Sequence, residues 1–297
     1  METPMLKRLA VLALLLALTG WAMPGWVMPA RADPVVWVAR GPNATVYLLG
    51  SVHMLRPGTV WEGPAVRRAF DEARECWFEV ELPEDLPKLQ ALMVFSGMDP
   101  AHKLSDLLPP DRRAQLGEVA GRAGLGTVIE MMRPWLARLA LTAQPLQKAG
   151  FDLALGVDTV LQAKAKAAGK RVAGVETVDA QMHLLSDMPQ ALAVQLLTST
   201  LDDAANGPAY IDEVVRGWQA GDTEATARTT EQIRKEAPEL YQIVFIERNE
   251  TFARAVQDFL AGDRTVLLTI GAGHLAGPDN VRDLLARRGI KVERVPD

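Results

Sequence analysis

The sequence predicts an α/β fold, a central mixed β-sheet flanked by helices, with a large helical insertion between its N-terminal and C-terminal sheet elements. Three observations support this. Short β-rich segments lie near both ends of the chain beyond residue 33, the stretch between them is mostly helical, and one short strand-like segment interrupts it. Because the sheet-forming pieces lie on both sides of the helices, the pattern favours one domain with an insertion over two independent domains.

The individual elements follow from periodicity and turn residues. Two β-rich segments, 35–39 and 45–49, flank turn-forming residues and are typical of a hairpin. Further strands are predicted over 76–82, 171–175, 265–270 and 291–295. Helices are predicted over 64–74, 87–205 with breaks at Pro109-Pro110, Pro134 and Pro145, 208–260 and 280–288.

The N-terminus has the three parts of a secretory signal peptide. Lys7 and Arg8 precede an apolar run over 9–18, and small residues at Ala30 and Ala32 suit a signal peptidase. We therefore expect residues 1–32 to be a signal peptide and residues 33–297 to form a single domain that is periplasmic or secreted, with no stable membrane span after cleavage. The alternative is a retained N-terminal anchor, because residues 21–28 extend the apolar stretch.

The composition limits the classes of function. Of the 297 residues, 48% are hydrophobic, which is enough for a sizeable core. The net charge is −5 and no basic run occurs, so nucleic acid is a poor candidate partner. Cys76 is the one cysteine, so no internal disulfide can form, and we expect it to be buried and inert. The sequence does not predict an oligomeric state.

Ionisable side chains fall at or near the carboxyl ends of four predicted strands. His53 follows the second strand, Glu79 and Glu81 lie on the third with both side chains on one face, Glu176 follows the fourth, and His274 follows the fifth. In open α/β sheets ligands bind at this edge. We therefore expect these side chains to converge on one pocket.

Two of the four histidines share a local pattern, in which a strand is followed by Gly-x-x-His. Gly50 and Gly271 would allow a tight turn and close approach of the backbone, and an imidazole held there can bind a metal or move protons. One such motif more often precedes a surface histidine, but two beside strand carboxylates favour a site. His102 and His183 are expected at the surface. A phosphate loop at 271–273 is disfavoured because Ala276 breaks the glycine spacing.

These motifs resemble the TraB/PrgY/GumN superfamily, which includes the Tiki metalloproteases. The resemblance covers residues 37–295, effectively the whole chain beyond the signal segment. It is carried by residues 47–53 (YLLGSVH), 78–81 (FEVE), 156–158 (GVD), 174–177 (GVET), 247–249 (ERN) and 270–277 (IGAGHLAG). The second acid of the FEVE block is commonly Asp in the family and is Glu81 here.

The resemblance implies an α/β fold with a divergent metalloprotease-like site. His53, Glu79 and His274 would hold a divalent metal ion, either manganese, cobalt or zinc. Glu79 and Arg248 would be catalytic, with Glu79 either a ligand or the general base and Arg248 stabilising negative charge. The supporting residues would be Gly50, Glu81, Asp158, Glu176, Asn249 and Gly271.

The function predicted from these observations is an exported metal-dependent hydrolase, a peptidase acting on a peptide or protein. Since ligating imidazoles must be neutral and free histidine has a pKa of about 6.5, metal binding would weaken below about pH 6. The alternative is a non-catalytic periplasmic protein that binds a metal, haem or a glycan in the same cleft, or an accessory protein of polysaccharide export. The sequence lacks His-Glu-x-x-His, which excludes a zincin-type protease.

Overall fold

The computed structural model describes residues 34–83, 86–204 and 207–296. The strands of this part of the chain are β1 (Val36–Arg40), β2 (Thr45–Ser51), β3 (Glu75–Val80), β4 (Arg171–Glu176), β5 (Thr265–Gly271) and β6 (Val292–Arg294). They form one mixed sheet in the order β4-β3-β5-β2-β1-β6. The predicted signal peptide, residues 1–32, lies outside the described residues.

The direction of the strands brings four carboxyl ends to one edge of the sheet. β3 pairs in parallel with both β4 and β5, and β5 pairs in parallel with β2. β1 runs antiparallel to β2, as predicted for the hairpin, and β6 runs antiparallel to β1. The predicted α/β fold with a mixed sheet is confirmed, and β2 to β5 all end where the sequence places ionisable residues.

The helices lie before, within and after the insertion. They are α1 (Pro64–Glu72), α2 (Leu86–Gly97), α3 (Pro110–Ala123), α4 (Pro134–Lys148), α5 (Val157–Ala167), α6 (Val178–Ser186), α7 (Gln190–Asp203), α8 (Gly207–Gln219), α9 (Thr223–Glu236), α10 (Pro238–Tyr241), α11 (Glu247–Leu260) and α12 (Val281–Arg287). A π-helical turn, Gln242–Ile246, joins α10 to α11, and 3-10 turns lie at Leu104–Leu107, Gly126–Met131, Leu153–Leu155 and Ala272–Leu275. No helix of the described residues is both long and apolar enough to cross a membrane.

The sheet is covered by hydrophobic cores on both faces, because successive side chains of a strand point to opposite sides. Along β2, Tyr47 and Leu49 join a core with α1, α5 and α8, whereas Val46 and Leu48 join a second core with α11 and α12. Burial on both faces explains the near-continuous apolar runs of β2 and β5.

The insertion has a core of its own, formed by apolar side chains of α3, α4, α7 and the intervening 3-10 turns. Pro110 and Pro134 start helices at a position that needs no intrahelical N–H bond. A helix break is predicted at Pro145, but Pro145 lies inside α4 and does not interrupt it. The helix continues past it because Leu141 and Leu146 are buried on either side, which offsets the one hydrogen bond that proline removes.

Candidate functional site

The two Gly-x-x-His turns lie side by side at the carboxyl edge of the sheet. β2 and β5 are neighbours, so Gly50 pairs with Ile270 and Ser51 with Gly271. A Cβ atom on Gly50 would lie 2.9 Å from the Cα of Ala272. Glycine is required at this position because the two turns approach so closely.

Arg248 lies at the centre of a buried polar cluster. Its Nη2 donates to Glu79 Oε2 and to Glu176 Oε2, each at 2.7 Å, and its Nε donates to Glu176 Oε1 at 2.8 Å. Its Nη1 lies 3.2 Å from His274 Nε2. One guanidinium thus joins residues at the carboxyl ends of three strands, β3, β4 and β5. The side chains of Arg248, Glu79 and Glu176 are only 10–13% exposed.

Glu79 is held as a carboxylate by this cluster. Gly271 donates its backbone N–H to Glu79 Oε1 at 2.6 Å, and Gln181 Nε2 lies 3.2 Å from Oε2. Burial by itself would raise the pKa of Glu79, but the charges of Arg248 and the nearby histidines and the Gly271 hydrogen bond lower that pKa to about 2. Glu79 therefore carries its negative charge throughout the neutral range.

His274 is buried, and the hydrogen bond at its other ring nitrogen fixes its orientation. Nδ1 donates to Asn249 Oδ1 at 2.7 Å, because the amide Nδ2 of Asn249 is already used to donate to the carbonyl of Asp279. Burial lowers the pKa of His274 to about 4. The neutral ring consequently presents the lone pair of Nε2 to Arg248 and, at 3.6 Å, to Glu79 Oε1.

Helix α11, which supplies Arg248 and Asn249, and the π-helical turn before it supply the aromatic walls of this pocket. Phe245 and Phe252 lie with their ring centroids 5.3 and 5.0 Å from that of His274. Their spacing from Arg248 and Asn249 puts all four on one helical face. The π-helical turn contains Phe245 and leads directly into α11, and π turns are frequent at functional sites.

His53 lies beside this cluster and has a different environment. Its Nδ1 is 3.2 Å from Asp158 Oδ1, and 57% of its side chain is exposed. Neighbouring atoms lower its pKa by desolvation, but the hydrogen bond and charge of Asp158 and the charge of Glu79 outweigh this and raise the pKa to about 9. The ordinary pKa assumed from the sequence therefore holds at neither His53 nor His274.

Glu81 does not join the cluster, so it lies apart from the other residues predicted to support the site. β3 ends at Val80, so the alternation that would align Glu81 with Glu79 stops before it. The Glu81 side chain is 49% exposed and lies 3.7 Å from Lys166. By contrast, Glu176, Asp158, Asn249 and Gly271 all contact a site residue.

Comparison with known proteins identifies the family of this chain. The sequence model of the TraB/PrgY/gumN family matches residues 35–294. The chain belongs to this family. It is 24% identical to "Metalloprotease TIKI2" of Xenopus tropicalis over 88% of this chain and 60% of that one, and 24% identical to "Metalloprotease TIKI1" of Danio rerio over 84% and 61%. An uncharacterised protein of Treponema pallidum is 20% identical, over 87% of this chain and 82% of its own length.

The chain spans about three fifths of the length of the metalloproteases that it matches. No solved structure matches it significantly.

Two glutamines that the sequence analysis did not single out support the site. Gln181 bridges the two carboxylates, since its Nε2 also lies 2.9 Å from Glu176 Oε2. Gln162 is buried, accepts from the N–H of Leu82 at 2.9 Å and donates to the carbonyl of Val80 at 3.0 Å. It thus fixes the end of the strand that carries Glu79. Gln162 lies one turn after Asp158 on α5, a spacing that could have pointed to it.

Within the described residues, no three His, Cys, Asp or Glu side chains converge as a complete metal site requires. His274 Nε2 and Glu79 Oε1 are close together, whereas His53 is bonded to Asp158 and Glu176 to Arg248. The guanidinium of Arg248 occupies the space between the two carboxylates. The site therefore contains two adjacent potential metal ligands, His274 and Glu79, and one positively charged side chain, Arg248.

The hydrogen bonds of Gln162 make a prediction about stability. Gln162→Met keeps the volume but leaves Val80 and Leu82 without their partner, so it should lower the free energy of unfolding by roughly 1–3 kcal/mol. Urea denaturation measures this change. Gln147→Met is the matched control, because Gln147 is exposed on α4, and it should change stability by less than about 0.5 kcal/mol. Equal effects of the two substitutions would refute the supporting role of Gln162.

The pairing of His53 with Asp158 makes a prediction about titration. NMR of the metal-free protein should show His53 titrating near pH 9, with His274 neutral down to about pH 4. Because the pKa of His53 is raised on folding, its contribution to stability is complete below about pH 6.5 and is lost as the pH rises through 9. Asp158→Asn should bring the midpoint of His53 to 6.5 or lower. A wild-type midpoint near 6.5 would contradict this account.

Proposed function

We propose that this protein is an exported metal-dependent hydrolase that cleaves peptide bonds, with His53, His274 and Glu79 as the residues that hold a divalent cation. The observation that carries the proposal is the buried cluster in which Arg248 joins Glu79, Glu176 and His274. It lies at the carboxyl edge of the sheet, where ligands of α/β proteins bind. Relatives named metalloproteases and the signal-like N-terminus support peptide hydrolysis and export respectively.

Two members of this donor set, His274 and Glu79, are spaced as ligands of one divalent cation. His274 Nε2 and Glu79 Oε1 lie 3.6 Å apart. Two such donors bound at about 2.0–2.2 Å in tetrahedral geometry would be separated by roughly 3.4 Å. Each imidazole has its Nδ1 next to an oxygen acceptor, Asn249 or Asp158, the partner that metal-binding histidines usually have. The paired carboxylates also carry one negative charge more than Arg248 neutralises.

Manganese, cobalt and zinc all accept such nitrogen and oxygen ligands. His53 would complete the set, and its raised pKa means that it must release a proton to do so. A bound divalent cation supplies Lewis acidity and a lower pKa for water, from about 15.7 towards about 7. The remaining roles in the proposed reaction are assigned to the side chains of the cluster.

The low pKa of Glu79 favours one of the two roles open to it. An efficient general base has a pKa near the working pH, whereas a pKa of about 2 makes Glu79 a weak proton acceptor. We therefore assign Glu79 the role of a metal ligand and not that of the general base. Nη1 of Arg248 lies 3.2 Å from His274 Nε2. It can therefore stabilise negative charge that develops on a carbonyl attacked beside these two side chains.

The tests of this proposal are metal content and peptide turnover in matched variants. Glu79→Gln should lose the metal and the turnover together, because it removes the negative charge. The matched control is Glu81→Gln, two residues further along the chain and exposed, which should leave both unchanged. Metal content is measured by mass spectrometry of the purified protein, and turnover with a fluorogenic peptide library. Retention of the metal with loss of turnover in Glu79→Gln would instead make Glu79 the general base.

The two histidines provide the decisive pair of variants. His274→Ala should abolish metal binding and turnover without unfolding the protein. His53→Ala should also lose the metal if His53 is a ligand, but should lose turnover alone if His53 with Asp158 transfers protons. Unchanged metal content and activity in both variants would refute the hydrolase. A non-catalytic protein that binds a ligand in the cleft would then be the better description.

A further inference from the structure

A cavity lies in the helical insertion, away from the Arg248 cluster. It has a volume of about 350 Å³ and is enclosed by the 3-10 turn Leu104–Leu107, the start of α4 and the junction between α6 and α7. None of its lining residues belongs to the cluster. Its volume lies within the range of small-molecule pockets, roughly 300–1,000 Å³.

About half of the cavity wall is apolar. Leu104, Met132, Trp135, Met188 and Ala193 line it. Methionine side chains adapt to ligands of different shape, and tryptophan offers a large apolar surface. Trp135 is only 7% exposed, and its indole N–H has no hydrogen-bond partner within the described residues. Buried indole groups usually find a partner, so this lining residue carries a donor that no described group satisfies.

The charged side chains that line the cavity include two cations and one carboxylate. Lys103 and Arg133 line it and are exposed, and within the described residues neither side chain makes a hydrogen bond or an ion pair. The one carboxylate of the lining, Asp99, is instead bonded to Nδ1 of His102 at 3.1 Å. Gln190, whose amide can donate, also lines the cavity. An anionic group entering here would meet two cations that no group in the described part of the chain engages.

We propose that this cavity binds a small organic carboxylate that carries an apolar group. The apolar group would lie against Trp135 and the two methionines, and the carboxylate would pair with Arg133 and Lys103. The planar guanidinium of arginine suits a carboxylate because it can donate two parallel hydrogen bonds. Two sources share this chemistry, namely the carboxyl-terminal residue of a peptide and a medium-chain fatty acid.

Helix α6 connects this cavity to the cluster around Arg248. Gln181 contacts Glu79 and Glu176, and Ser186, five residues later on the same helix, lines the cavity. Five residues of α-helix span about 7.5 Å. A ligand in the cavity would therefore contact the helix that also positions the two carboxylates. Binding can be measured without turnover, so its outcome is independent of the proposed hydrolase.

The experiment is titration calorimetry of the full-length protein with three probes. N-acetyl-leucine represents a peptide terminus, octanoate represents a fatty acid, and N-acetyl-leucinamide is the uncharged analogue of the first. At least one carboxylate should bind with one-to-one stoichiometry, and the tighter of the two identifies the source. If N-acetyl-leucine is that ligand, its amide should bind at least about tenfold more weakly.

Variants then locate the site. The double substitution Lys103→Gln with Arg133→Gln should weaken binding of the carboxylate at least about tenfold. The matched control is Arg287→Gln, because Arg287 is also exposed and makes no side-chain hydrogen bond or ion pair within the described residues. It should bind like the wild type. The proposal is overturned if neither carboxylate binds saturably, if the amide binds as tightly as N-acetyl-leucine, or if the double variant retains wild-type affinity.

Discussion

The arrangement of the site depends on the guanidinium of Arg248, which is shared between two buried carboxylates. Glu79 comes from β3 and Glu176 from the end of β4, and two carboxylates placed so close in a buried pocket repel each other unless a cation lies between them. Five hydrogen-bond donors in a fixed planar geometry allow Arg248 to contact both and still face His274. A lysine could supply the charge but not this geometry. The ion cluster therefore ties β3, β4 and α11 together at the sheet edge.

Two helices hold this edge from opposite faces of the sheet. On one face α5 supplies Asp158 to His53 and Gln162 to the end of β3. On the other face α11 supplies Arg248 and Asn249. The two imidazoles consequently have different properties, although both follow a Gly-x-x-His turn. One is buried, neutral and fixed by an amide, whereas the other is exposed and held protonated by a carboxylate.

Much of this architecture could be predicted from the sequence, because apolar periodicity marks each strand and ionisable residues stand out at the strand ends. Convergence of Glu79, Glu176 and His274 follows from parallel strands alone. The protonation states could not be predicted, since they depend on partners distant in sequence, such as Asp158 for His53. The position of Glu81 apart from the cluster could not be predicted, because Gln162 holds the end of β3 and periodicity does not reveal that contact.

The stability of the metal-free protein tests most directly whether Arg248 is the cation on which the cluster depends. Arg248→Met should lower the free energy of unfolding by roughly 3–5 kcal/mol, because it leaves buried carboxylates without their partner. Adding Glu79→Gln and Glu176→Gln to that variant should recover most of the loss, since the uncompensated charges are then gone. Urea denaturation in the presence of a chelator measures both. Wild-type stability of Arg248→Met, or a triple variant no more stable than Arg248→Met, would contradict the account.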